Sequence, residues 1–256
     1  MMSANTIINL SGIKKIYRTK EKETVAVSDV SMEINAGDFI SLVGPSGCGK
    51  STILKIIADL IPVEAGTIEI GNAERPIDRS RDIGMVFQQA LLLKWRKIMD
   101  NVLLPAEILG LPMKEARGRA KDLLEMVGLR GFEDVYPYEL SGGMQQRAAI
   151  ARSLVHDPEI VLMDEPFGAL DALTREKMNT ELHQIWRRSG KTVLFVTHSI
   201  QEAVFLGTHC AVLTAGPARM ASYFPIELDV PRHLSMVTEP EFGIYTRKIY
   251  DLLGVE

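Results

Sequence analysis

The sequence predicts an α/β fold: a parallel core sheet that presents its strand ends to one ligand crevice, an antiparallel β layer beside it, and a helical insert. Three observations carry that expectation. Four apolar runs, Phe39 to Val43, Ile83 to Phe87, Ile160 to Met163 and Thr192 to Thr197, each lead directly into a glycine or a polar residue. This is the pattern of buried parallel strands whose C-terminal ends face a ligand. The first run opens into Gly44-Pro45-Ser46-Gly47-Cys48-Gly49-Lys50-Ser51-Thr52, which fits G-x-x-x-x-G-K-[ST]. Between the second and third runs, Lys114 to Val127 carries Ala116, Ala120, Leu123, Leu124 and Val127 at the spacing of an amphipathic helix, with Gly128 to stop it.

Taken in chain order, Thr6 to Gly37 reads as short strands broken by the charged turn Lys20-Glu21-Lys22-Glu23, which gives the antiparallel layer. After the phosphate-binding loop, Ile53 to Leu60 is apolar-periodic and reads as a helix. Leu91-Leu92-Leu93-Lys94-Trp95 and Val102-Leu103-Leu104-Pro105 follow Gln88 and read either as core filling or as a groove for a partner helix with Trp95 as anchor. Ser141 is a good N-cap, and Met144, Ala148, Ala151 and Val155 form one stripe of the helix it starts. Gly142 and Gly143 let an anion approach that helix end. Beyond His198, Cys210 to Leu213 reads as a strand, and Phe242, Tyr245, Ile249 and Leu252 share one face of a final helix.

The strand ends carry the chemistry. Glycines in the phosphate loop let successive N–H groups face an anion. Lys50 is placed to reach the β- and γ-phosphates, and the Ser51 hydroxyl to coordinate Mg²⁺. Asp164 and Glu165 are adjacent carboxylates that require a compensating cation, which assigns Asp164 to Mg²⁺ and Glu165 to the attacking water as general base. His198 is expected to bond the γ-phosphate or that water. Gln88, an uncharged amide, can touch both metal and water and suits a sensor.

Composition sets limits. At 256 residues and 46% hydrophobic, the chain can bury one substantial core. A formal net charge of −4 gives no nucleic-acid footprint. Two cysteines indicate a reducing compartment rather than a disulfide framework, and Cys48 reads as a small filler. Met1 to Thr6 lacks the charged and apolar regions of a signal peptide, and no run of ~18 apolar residues occurs.

This set of motifs resembles the ATP-binding subunit of an ABC transporter over nearly the whole chain. The resemblance implies a P-loop NTPase core with an antiparallel β layer and an α-helical signature subdomain. In its terms the P-loop is Gly44 to Thr52, the Q-loop residue Gln88, the signature Leu140-Ser141-Gly142-Gly143-Met144-Gln145-Gln146-Arg147, and the Walker B strand Ile160 to Asp164. Glu165 becomes the catalytic glutamate, Gly168-Ala169-Leu170-Asp171 the D-loop, and His198 the switch histidine. Tyr17 matches the aromatic on which adenine stacks, and on the residues alone also reads as an ordinary strand aromatic. The resemblance implies one catalytic domain over 1–256, with 1–87 and 157–256 as nucleotide-binding core and about 88–156 as the signature subdomain. It also implies ATP and Mg²⁺ as ligands and a head-to-tail dimer. Each ATP then lies between one subunit's P-loop and the other's Ser141, Gly142, Gly143, Gln145 and Asp171.

Asp164 to Arg175, Phe132 to Pro137 and Thr197 to Ala203 are similar to the nitrate/sulfonate/taurine importer group. That similarity implies separate permease subunits, a solute-binding protein, a place on the cytoplasmic face of the inner membrane, and a small solute. Gln89 departs from the family's usual acid, Lys94 from its proline and Asp59 from its glycine. Two rivals share the nucleotide site: an ATPase acting on nucleic acid or ribosomes, and an exporter ATPase. The first usually carries tandem cassettes or a long insertion, whereas only about ninety residues separate Lys50 from Ser141.

Overall fold

The computed structural model describes residues 5–20, 22–71, 76–168 and 170–254. Met1 to Ala4, Glu21 of the charged turn and Ala169 of the D-loop lie outside the described residues. The strands are β1 (Thr6–Arg18), β2 (Glu23–Asn35), β3 (Phe39–Val43), β4 (Ala65–Ile70), β5 (Ile83–Val86), β6 (Ile160–Asp164), β7 (Thr192–Thr197), β8 (His209–Leu213) and β9 (Ala218–Pro225). The α-helices are α1 (Lys50–Ile57), α2 (Arg79–Asp82), α3 (Ile98–Ile108), α4 (Met113–Met126), α5 (Gly142–Leu154), α6 (Ala172–Ser189), α7 (Ile200–Leu206) and α8 (Pro240–Leu253).

Among the described residues these strands form one sheet in the order β4-β1-β2-β9-β8-β3-β7-β6-β5. The segment β8-β3-β7-β6-β5 is parallel, as expected of the apolar runs, and β4-β1-β2 is antiparallel. Strand β9 joins the two, antiparallel to β8 and parallel to β2. Every residue of β3, β6 and β7 is buried because both faces of the sheet are covered. Ile40, Leu42, Leu162, Leu194 and Val196 pack toward α1 and the β1/β2 layer. Their alternates Phe39, Val43, Val161, Met163, Val193 and Phe195 pack toward the helices of the other face.

The N-terminal region differs from the expected short strands: it is a hairpin of two 13-residue strands. Register shifts at several points of β1 interrupt its alternation, which made one strand look like pieces. Helix α1 ends at Ile57, three residues before its apolar run does, because Asp59 adopts φ 59 just beyond the Ala58 cap. This left-handed conformation favours the glycine that the family carries there. The expected helices are present. Helix α4 buries Ala116, Ala120 and Leu124, α5 buries Ala148 and Ala151 with Val155 at its cap, and α8 buries Phe242 and Ile249.

Helix α6 carries a histidine, His183, only 2% exposed, whose ring lies 5.5 Å from Trp186 and 6.0 Å from Phe205. Burial, aided by the Arg232 guanidinium, pushes its imidazole down to about 4. The folded chain therefore binds fewer protons at this site than the unfolded chain, whose histidine titrates near 6.5. Its contribution to stability is complete above that value and is lost as pH falls from 6.5 through 4. The expected loss is about 3 kcal/mol across this window, read as a falling melting temperature. His183→Leu should flatten that part of the profile; an equally steep profile in the variant would remove His183 as its cause.

Candidate active site

The phosphate loop is the turn between β3 and α1. Its last residue, Gly49, is the helix N-cap at φ 116, and a Cβ there would sit 2.7 Å from the Ala26 carbonyl oxygen. Only glycine lets the loop lie this close to β2. Lys50 is 4% exposed, and its Nζ donates to the carbonyl oxygens of Gly44 at 2.7 Å and Pro45 at 2.9 Å. The Cys48 thiol is buried in the core, so this residue can serve a phosphate only through its backbone. A cleft of about 700 Å³ is lined by Tyr17, Gly47, Gly49, Lys50, Ser51, Thr52 and Glu165, together with Thr24, Val25 and Gly216-Pro217. Tyr17 is 40% exposed along this cleft, and its hydroxyl lies 3.4 Å from Thr52 Oγ1.

Ser51 Oγ donates to Asp164 Oδ1 at 2.8 Å, bringing together two of the three residues expected at the metal. Burial pushes the Asp164 carboxyl up; the Ser51 hydrogen bond opposes this and the neighbouring Glu165 adds to it. A hydroxyl and a carboxylate held desolvated in this way fit a hard cation that keeps several waters and takes the rest of its ligands from a phosphate, as Mg²⁺ does. Gln88, the third expected ligand, bonds Glu165 instead of Ser51 or Asp164.

Glu165 is the meeting point of three strand ends. It follows β6 at φ 45, and this left-handed backbone is held by its N–H to the Val196 carbonyl at 3.0 Å and by Gly168 N–H to its own carbonyl at 3.1 Å. Its Oε2 accepts from Gln88 Nε2 at 3.3 Å, beyond β5, and lies 3.4 Å from His198 Nδ1, beyond β7. An amide, an imidazole and a carboxylate thus converge beside Lys50, which is the equipment for holding a water molecule and removing its proton.

The signature residues lie elsewhere in the same chain. Ser141 caps α5 and accepts from Met144 N–H at 3.3 Å. Gly142 and Gln145 line a separate groove with Gln88, Leu92, Lys94 and Tyr138. Gln145 Nε2 is tied to the carbonyls of Pro137 at 2.9 Å and Leu140 at 3.2 Å. A Cβ on Gly143 would meet Leu170 Cδ2 at 2.8 Å. Asp171 caps α6, and its bonds from the Thr174 hydroxyl and N–H hold its carboxyl below the usual range.

Sequence reasoning missed the residues that brace the loop after β5. Buried Asn101 bonds Leu93 N–H and the carbonyls of Leu93, Arg96 and Lys97. Arg152 holds the carbonyls of Ala90 at 2.7 Å and Leu91 at 2.8 Å, and Gln146 holds that of Phe87 at 3.0 Å. Gln146 was legible as the second amide of the signature pair; Asn101 gave no local signal.

The family model described as ABC transporter matches residues 27–168, more than half of the chain. The chain is 45% identical over 250 residues to an uncharacterized ABC transporter ATP-binding protein of Methanocaldococcus jannaschii, covering 97% of this chain and 92% of that one. It is 47% identical to the taurine import ATP-binding protein TauB of Rhizobium johnstonii, covering 89% of this chain and 88% of that one. Among solved structures it resembles the dimeric post-hydrolysis state of the ATP-binding cassette MJ0796 bound to ADP and Pi. The TM-score is 0.76 and the identity 34%, covering 87% of this chain and all of that one.

Removing the Lys50 ammonium should weaken ATP binding rather than turnover alone. Lys50→Ala is expected to bind a fluorescent ATP analogue about 10- to 100-fold less tightly, the worth of a charge-assisted phosphate contact. Unchanged affinity would remove Lys50 from the phosphate site.

Proposed function

The chain belongs to the ABC transporter family, and from that premise we propose that it is the ATP-hydrolysing subunit of an importer, driving a small solute of the nitrate, sulfonate or taurine type through separate permease subunits. The observation that carries the catalytic part is the contact of Gln88 and His198 with Glu165 beside the phosphate loop.

In this reading, the N–H groups of the loop and Lys50 hold the triphosphate while Tyr17 offers its ring to the adenine. Ser51 and Asp164, together with Gln88, would hold Mg²⁺, which would supply charge neutralisation on the phosphate oxygens. Glu165 Oε2 takes a proton from the attacking water, and His198 orients that water and the γ-phosphate. Ser141, Gly142, Gly143, Gln145 and Asp171 serve the nucleotide of a second copy, which accounts for their absence from the lining of the P-loop cleft. ATP then closes a two-fold dimer, and hydrolysis with phosphate loss reopens it. Moving such an equilibrium from 1:99 to 99:1 needs about 5.5 kcal/mol of differential binding.

Residues 88–156 are the helical signature subdomain, and 1–87 with 157–256 the nucleotide core. The loop braced by Asn101 and Arg152 leaves Trp95 75% and Leu91 55% exposed, and Tyr138, 70% exposed, lies with Leu91 on one groove, the place for a cytoplasmic helix of the permease. Two departures from the family pattern, Gln89 and Lys94, line that groove, which puts partner choice there. Among the described residues no helix is long and apolar enough to cross a membrane. The chain works at the cytoplasmic face of the inner membrane through its permease, with the solute-binding protein on the far side.

Glu165→Gln should keep ATP affinity and lose roughly 10²–10⁴-fold in turnover, as expected for the removal of a general base. Wild-type turnover in that variant would overturn the assignment. The transport reading is tested by purifying the tagged chain from detergent-solubilised membranes and identifying what accompanies it. A multi-span permease is expected; reproducible recovery of ribosomes or DNA-repair proteins without one would favour the soluble ATPase reading instead.

A further inference from the structure

Outside the cleft, one buried ionic contact joins segments that the catalytic reading treats separately. We propose that Arg175 and Glu202 form a positioning pair linking the strand end that carries His198 to the D-loop and, through Leu170, to the signature turn of the same chain. The proposal rests on the reading of the site given above and adds a physical route between its two halves.

Each step is a named contact. Glu202, 5% exposed in the first turn of α7, accepts from Thr197 Oγ1 through Oε2. Thr197 Oγ1 also accepts from Ser199 N–H at 3.0 Å, so this hydroxyl holds the residues on both sides of His198. Glu202 N–H donates back to Ser199 Oγ at 3.3 Å and closes the turn. Through Oε1 the carboxylate faces Arg175 Nε at 3.6 Å. The same guanidinium donates from Nη2 to the Leu170 carbonyl at 2.9 Å. Leu170 in turn places Cδ2 against Gly143, 2.8 Å from where a Cβ would lie.

One end of this path is His198, on Glu165 of the chain's own nucleotide site. The other is Gly143, assigned to the nucleotide of the second copy. Neither Arg175 nor Glu202 lines the P-loop cleft, so neither is expected to touch ATP. Arg175 Nε is buried and makes no hydrogen bond, although it faces the carboxylate. A movement of about half an ångström would turn that contact into a charge-assisted bond. In the proposed coupling the junction takes this open arrangement in one state and the bonded one in the other, as a coupling element requires.

A purely structural role, neutralising one buried carboxylate, would lower stability and leave cooperativity alone. The test uses the full chain with Glu202→Gln, which keeps the shape, and Arg175→Lys, on a half-exposed side chain that carries the same test should the first variant fail to fold. ATP affinity of the single copy is measured with a fluorescent analogue, the Hill coefficient from turnover, and half-dimerisation by ATP titration in the Glu165→Gln background. Single-copy affinity should stay within about twofold, the Hill coefficient should fall toward 1, and half-dimerisation should need about tenfold more ATP, the size of a typical coupling. Folded variants with unchanged Hill coefficient and dimerisation would overturn the proposal. So would variants that lose only melting temperature. A wild-type chain that neither hydrolyses ATP nor dimerises would remove the underlying site reading, a result distinct from both.

Discussion

The chemistry depends on the hydrogen-bond register of four parallel strands. Val43 pairs with Thr197, Asp164 with Val196, and Val86 with Met163, so the residues just past each pair end at one level. Gly44, Glu165, His198 and the segment leading to Gln88 follow from that alignment. A slip of one residue in any strand would turn its core side chains to the other face and take its polar end out of the cluster. The apolar residues that fix the register, Phe39, Val161, Met163, Val193 and Phe195 on one face and Ile40, Leu42, Leu162 and Leu194 on the other, hold no catalytic atom. They nonetheless determine where Glu165 Oε2 meets Gln88 and His198.

The same packing separates the two helix ends assigned to phosphate in the proposed reading. Helix α1 starts at Gly49 with no side-chain cap, and α5 follows Ser141, whose hydroxyl takes one N–H of the first turn and leaves the others. They open on different surfaces of the chain. In the proposed reading a single copy thus carries a phosphate cradle and, apart from it, a second helix end for the nucleotide of its partner. Two copies related by a two-fold axis can bring one of each to the same nucleotide, twice. The Arg175–Glu202 contact gives each copy a path between its cradle and the end that it lends.

Much of this was legible in the sequence, for physical reasons that also explain the gaps. Strand ends, the P-loop, the Ser141 cap and the stripes of α4, α5 and α8 depend on local period and on residue types with few alternatives. The β1/β2 hairpin was misread as short pieces because its bulges break the alternation while the ladder continues. Asp59 stood out only as a departure from a family pattern; its φ of 59 supplies the reason glycine is usual there. Asn101, Arg152 and Arg175 were invisible because their work is done on backbone carbonyls of other segments, and a carbonyl leaves no trace in sequence. Glu202 was within reach: an acid four residues past His198, in the first turn of a helix capped by Ser199, has few places to put its charge.

Completion of the active site by a second copy can be read from the sedimentation of Glu165→Gln with and without Ser141→Arg. Ser141→Arg alters the lent helix end and leaves the chain's own P-loop intact. With ATP, the single variant should sediment as a dimer, while the double variant should bind ATP and remain a single copy. A double variant that dimerises with ATP as readily as the single one, or a single variant that binds ATP and never dimerises, would show that each copy completes its own site.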